Sequence, residues 1–172
     1  MAAVGQAYLD AQMRNLMESI DRKISEDVFA AVLAGAQEVA TVTEVNEAGL
    51  NAIARACDID GAHSFAMSRN VFFDNKSNKI DAGSGRNLFE KDGAFGKTFE
   101  GDRVFFSNLF DSDTVIAGGD FSKITVCDWS RTELIVDPYT MASTGQVIIT
   151  LVKIAAVALT NPNAFAKSGT LA

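Results

Sequence analysis

The chain has 172 residues, 48% hydrophobic and 22% charged, which is the composition of a folded single domain large enough to bury a core rather than of a disordered tail. A formal net charge of -7, with no run of five basic residues, argues against a general nucleic-acid binder. Two distant cysteines, Cys57 and Cys127, and a single histidine, His63, are too few for a disulfide framework or a Cys/His zinc site.

In chain order, the first predicted element is a helix from Ala7 to Leu33. Leu9, Met13, Leu16, Met17, Ile20, Ile24, Val28 and Val32 recur every three or four residues and form an apolar stripe. Asp10, Arg14, Glu18, Arg22 and Glu26 alternate in sign at four-residue spacing on the other side, each pair worth about 0.2–0.5 kcal/mol. The stripe reads as core, with a subunit contact as the sharper alternative, and Gly35 is the expected stop. A second helix is expected from about Glu44 to Cys57, capped by Thr43 and burying Leu50, Ile53, Ala54 and Cys57. Ser64 to Ser68 (SFAMS) reads as a short buried strand, followed by a brief helical turn in RNVFFDNKSN.

The segment from Asp74 to Gly101 is rich in Gly, Asn, Ser, Asp and Lys. It reads as a long exposed loop with short ordered pieces. Strands are then expected at Arg103 to Ser107, Thr114 to Ala117, Ser122 to Trp129 and Glu133 to Val136, with DWSRTE as a hairpin turn between the last two. In QVIITLVKIAAVALT, strand and helix compete. The β-branched run from Val147 to Val152 favours one long strand, ended by Asn161-Pro162. Helices early and strands late predict an α+β fold.

No segment has the charged-then-apolar pattern of a signal peptide, and Val147 to Leu159 is too short to span a bilayer and holds Lys153, so a soluble intracellular protein is the default expectation. Gly93 to Thr98 (GAFGKT) imitates the end of a phosphate-binding loop, but the required first glycine falls on Lys91. Its flanks also lack the strand before and the helix after that grip a phosphate. Gly83 to Leu88 (GSGRNL) lacks the third glycine of a dinucleotide fingerprint. Asp111 and Asp113 could hold a hard cation such as Mg²⁺, but without a third acidic ligand they read as a solvated turn. His63 has no GxSxG nucleophile near it and reads as an ordinary loop or strand-edge histidine. No catalytic, cofactor-binding or metal-ligating residue is assigned.

The second half carries an ordered series of motifs: VFFSNLF, then VIAGGDFSKITVCDWSRTELIVDPY, then GQVIITLVKIAAVALTNPNAF. It resembles the C-terminal part of tailed-bacteriophage major capsid proteins of the Hong Kong 97-type fold. The corresponding places are Gly101, Val104 to Asn108, Gly119 to Ser122, Asp128, and Pro162 to Phe165; the early helix AQMRNLMESIDRKISEDVFAAVLAG is similar as well. The resemblance implies one capsid-like α+β domain over residues 1–172, covering the family's axial and peripheral portions, with early helices on a mostly antiparallel sheet. It implies a last strand sharing a sheet with Ser122 to Val136. It also implies a fragment of a longer subunit that lacks the N-terminal arm, extended loop and spine helix.

The implied function is structural: a phage or prophage shell subunit acting by self-assembly, found in the virion and in the bacterial host cytoplasm before assembly. Copies of itself are the implied partner, with monomers or weak oligomers expected for this chain. No specific nucleic acid, membrane, small-molecule substrate or cofactor is implied. The loop from Asp74 to Gly101 is the expected symmetry-facing contact. Self-cross-linking through a Lys–Asn bond gains no support, because Ser143 to Thr160 contains no Asn, Asp or Glu. Two other readings stay open. One is a small metal-assisted hydrolase or phosphotransferase using Asp111, Asp113 and His63. The other is an encapsulin-like host shell protein of the same fold.

Overall fold

The computed structural model describes residues 2–59, 62–80, 83, 85–98, 100–110, 114–129 and 131–171. The first helix, α1, runs Ala2–Gly35, longer at both ends than its periodicity suggests, and at 1.5 Å per residue it is about 50 Å long. Of the alternating charges, Arg22 and Glu26 form an ion pair at 3.2 Å, and beside it Lys23 and Asp27 form another at 3.1 Å, both on the solvent side.

The apolar stripe of α1 is not core along its length. Val32 is fully buried, whereas Met13, Leu16, Ile20, Ile24 and Val28 are half-covered and Leu9 and Met17 are exposed. The reason is geometric: α1 packs through its C-terminal part on strands near the end of the chain and outruns them toward its N-terminus. Periodicity reports which side of a helix is apolar and says nothing about what covers it.

Seven strands form the main sheet, in the order β1-β11-β6-β2-β5-β4-β3. They are β1 Gln37–Val39, β2 Ser64–Ser68, β3 Phe89–Asp92, β4 Phe95–Thr98, β5 Arg103–Ser107, β6 Ile116–Gly119 and β11 Phe165–Ser168. The β1–β11 and β2–β5 pairs are parallel and the other four neighbours antiparallel, so the sheet is mostly antiparallel, as expected.

SFAMS lies in the middle of this sheet as β2, buried on both faces. Phe65 and Met67 enter one apolar cluster and Ala66 the other, because successive strand side chains point to opposite sides. The first cluster is roofed by α2 (Glu47–Ala56) and α3 (Arg69–Asn75), which supply Leu50, Ile53, Val71 and Phe72. There Phe72 stacks on Phe106 with ring centroids 4.4 Å apart. The second cluster, with Phe110, Ala117, Ala164 and Phe165, takes in Val32 and Ala36 at the end of α1.

Several local expectations are corrected. The cap of α2 is Asn46, not Thr43: its Oδ1 accepts the Gly49 N–H at 2.8 Å, and Val45 before it and Leu50 after it join the same cluster, as in a hydrophobic staple. Asp74 to Gly101 is not simply a loop, since β3 and β4 form a hairpin turning at Gly93 (φ +61°) and extend the sheet. Its buried β4 positions are Gly96 and Thr98, so the alternation is invisible to hydropathy. A Cβ at Gly96 would collide with the Phe72 ring, which makes the glycine a packing requirement. DWSRTE is not a hairpin turn either. Two strands leave the sheet and two return: β7 Ile124–Asp128 pairs with β10 Ala155–Leu159, and β8 Glu133–Asp137 with β9 Ile148–Val152. The segment expected as one long final strand is therefore two, interrupted at Lys153 and Ile154. Both share ladders with the Ser122 to Val136 stretch, the pairing that the capsid resemblance implies.

Candidate assembly surface

The ladders β7–β10 and β8–β9 follow one another along the chain as a two-stranded antiparallel ribbon whose tip is Pro138 to Val147. Between the Asp128–Ala155 and Glu133–Val152 rungs the outgoing arm has four residues and the returning arm two. Lys153 closes this irregular joint with an ion pair to Asp128 at 3.1 Å. The base of the ribbon is fixed to the sheet by residues that the sequence marks out. Asp120 caps the 3-10 turn Phe121–Lys123 by accepting the Ser122 N–H at 2.9 Å, and Asn161 caps a second such turn, Pro162–Ala164. Gly119 lies so close to Ala164 that a Cβ would strike that residue's carbonyl oxygen. The Gly-Asp-Phe-Ser and Asn-Pro-x-Ala-Phe motifs are thus the two anchor points where the ribbon joins the wedge.

No described residue from 121 to 160 is fully buried. Yet this stretch holds Val126, Trp129, Leu134, Ile135, Val136, Tyr139, Met141, Val147, Ile148, Val152 and Ile154, each more than a third exposed. Exposed aliphatic and aromatic side chains in this number make the ribbon a candidate interaction surface. The tip is ordered for its part. Asp137 accepts the Tyr139 and Thr140 N–H groups at 2.8 and 3.1 Å and the Thr140 hydroxyl, bonds that hold its carboxyl below the usual range. Tyr139 stands on this turn 85% exposed.

The chemical candidates are placed as follows. Asp111 and Asp113 lie outside the described residues. His63 is half-buried against Phe65, Gly118 and Cys57, its Nε2 3.6 Å from the Cys57 sulfur. Burial pushes the Cys57 thiol up to about 11 and moves His63 down from its ordinary value, with Asp102 opposing the latter weakly. A thiol held protonated, with the Ile53 and Gly118 carbonyls in reach of its S–H, is a poor nucleophile. GAFGKT is the β3–β4 turn and β4 itself, and its Lys97 pairs with Asp92 across that hairpin. Among the described residues, no group of three or more His, Cys, Asp or Glu is placed to hold a metal ion. Among the described residues, no helix is long and apolar enough to cross a membrane. The ribbon is the candidate interaction surface that sequence reasoning missed. Its strands were legible, but its lack of cover was not.

A mixed α+β wedge with a long flanking helix and a projecting two-stranded ribbon is the capsid type of fold. The chain belongs to the phage capsid family, whose sequence model matches residues 4–168. Among solved structures it is similar to the capsid of an empty GTA particle (17% identity, TM-score 0.61), covering 80% of this chain and 50% of that one. It is also similar to Gordonia phage Cozz (18%, 0.62, 94% and 64%) and to a virus-like particle from Pyrococcus furiosus (11%, 0.57, 88% and 64%). The chain thus spans between half and about two thirds of the structures it resembles. No curated protein matches it.

Proposed function

We propose that this protein is a structural subunit of a phage-type icosahedral shell, acting by self-association and located in the virion. The host cytoplasm would be its site before assembly. The carrying observation is the match of the capsid family to nearly the whole chain. The uncovered ribbon supports the same reading, because a two-stranded ribbon is marginal alone in water and gains stability from a neighbour. The β3–β4 hairpin, at one edge of the sheet, is the candidate for the contact around a symmetry axis. A net charge of -7 suits a wall that does not adhere to enclosed DNA.

Electron microscopy of the complete gene product at rising concentration tests this, with capsomers or shells expected. Monomers of that product at every protein and salt concentration would contradict it. A host-encoded shell is the second reading, favoured by the likeness to a virus-like particle. Nucleic acid inside assembled shells points to the phage role, and a protein cargo points to the host role. The hydrolase reading predicts a thermal shift with millimolar Mg²⁺, Mn²⁺ or nucleotide. No shift removes it.

A further inference from the structure

We infer that the peptide bond between Asp137 and Pro138, at the tip of the ribbon, is a latent self-cleavage site. In acid the Asp137 carboxylate attacks its own main-chain carbonyl carbon, and the turn that follows holds that carboxylate back. The chemistry is independent of the shell reading. The chain has two prolines, and Pro138 is the one that follows an aspartate, since Pro162 follows Asn161. A proline nitrogen in the chain bears no hydrogen and is a tertiary amide. It takes up a proton more readily than a secondary amide nitrogen and therefore leaves more easily. The aspartate before it reaches the carbonyl carbon through a five-membered ring, an intramolecular attack that needs no encounter.

In the cleavage step one carboxylate oxygen of Asp137 forms a bond to the Asp137 carbonyl carbon. The bond from that carbon to the Pro138 nitrogen breaks, and its electron pair leaves with the nitrogen, which has taken a proton from the acid. A cyclic anhydride remains on Asp137, and Pro138 becomes a free amine. One water then opens the anhydride, leaving Asp137 as a new C-terminus with two carboxyl groups.

The tip exposes this bond and restrains it at once. Pro138 and Thr140 are exposed, and Tyr139 is 85% exposed. Asp137 Oδ1 accepts the Tyr139 and Thr140 N–H groups at 2.8 and 3.1 Å, and Oδ2 accepts the Thr140 hydroxyl. Both oxygens are engaged, so attack by either one breaks a hydrogen bond. Few charges surround the group. Glu133 lies at the far end of β8 on the same face, β9 brings Ile148 to the Asp137 rung, and from Pro138 to Val152 the one titratable side chain is Tyr139. The hydrogen bonds also keep the carboxyl ionised further into acid, so the nucleophile persists but is tethered.

A cut here would not release a fragment. In the piece beginning at Pro138, β9 is paired with β8, β10 with β7, and β11 with β1 and β6. The tip opens while the subunit stays whole.

The test uses the full chain with Thr140→Val, Asp137→Asn and Pro138→Ala. Each is incubated at the lowest pH at which circular dichroism shows it folded, and at that same pH in guanidinium chloride; mass spectrometry reads the products. In denaturant the parent is expected to give residues 1–137 and 138–172 as its main products. Folded, it should be cut more slowly. Thr140→Val should be cut about two- to tenfold faster than the parent when folded, the effect of one lost hydrogen bond, and at the parent's rate in denaturant. Asp137→Asn and Pro138→Ala should yield neither piece, and the nicked parent should sediment like the intact one. The inference is overturned by a main cut at any other bond, by cleavage that survives in Asp137→Asn, or by a folded parent cut as fast as the denatured one. Equal folded rates for Thr140→Val and the parent, or pieces that separate without denaturant, also overturn it.

Discussion

In the wedge, Phe65, Met67, Phe72, Phe89, Val104 and Phe165 are at most 1% exposed, whereas in the ribbon Leu134, Ile135, Val136 and Ile154 are about half exposed or more. The residue types are comparable and the environments are opposite. In the wedge, strands are roofed by α2 and α3 on one face and by the end of α1 on the other, so apolar side chains find cover within one chain. The ribbon meets α1 through β10, yet Leu134, Ile135 and Val136 of β8 find no such cover and stay about half exposed. On the proposed reading, the difference separates two jobs, folding a subunit and holding subunits together, and assigns them to different residues.

Substitutions should therefore divide by region, and the largest effect belongs to the wedge. Phe72 is fully buried, stacks on Phe106 and fills the space left by Gly96. Phe72→Ala is expected to cost about 3–5 kcal/mol in chemical denaturation. A loss below 1 kcal/mol would mean that the aromatic cluster does not hold the sheet.

Next comes Ser168, whose buried hydroxyl accepts the Ile116 N–H at 2.9 Å and ties the loop edge of β6 to β11. Ser168→Ala strands that N–H and is expected to cost about 1–3 kcal/mol. Asn46→Ala, which removes the α2 cap, should cost about 1 kcal/mol by thermal melting, and Thr43→Ala much less. The reverse ranking would restore Thr43 as the cap.

A pH effect also belongs to the wedge. His63 is held below its ordinary 6.5 by burial, so the unfolded chain binds a proton that the folded chain resists. Stability contributed by neutral His63 is complete above pH 6.5 and is lost as pH falls below it. The melting temperature should drop between pH 7 and pH 5, and less so in His63→Gln. An equal drop in the variant would assign the effect elsewhere.

The smallest effect on folding is expected in the ribbon. Leu134→Ser with Val136→Ser should change stability of the dilute chain by less than about 1 kcal/mol, because little cover is lost. A large loss would show that the ribbon packs within its own chain.

Much of the wedge was legible in the sequence, and the reasons are specific. SFAMS is a continuous apolar run because both of its faces are buried, and α1 declares itself by strict three- and four-residue spacing. The Gly-Asp-Phe-Ser and Pro-x-Ala-Phe motifs are readable because they perform fixed backbone tasks at the base of the ribbon. The β3–β4 hairpin was not legible, since its inward positions are Gly96 and Thr98 rather than bulky hydrophobes. DWSRTE has the composition of a turn because it spans the irregular joint of the ribbon, where Trp129, Arg131 and Thr132 are exposed and need no apolar cover. The assembly surface was the least legible feature: hydropathy records that Leu134 to Val136 and Val147 to Val152 are apolar, and the core and an intersubunit contact write the same letters.

Hydrogen exchange measured on the dilute chain and on its assembled form tests the division most directly. Amides of β2, β6 and β11 should be strongly protected in both states. Those of β8 and β9 should exchange quickly in the dilute chain and slow at least about tenfold on assembly. Protection of β8 and β9 in the dilute chain equal to that of β2, unchanged on assembly, would contradict the claim that the wedge folds alone and the ribbon is completed by other copies.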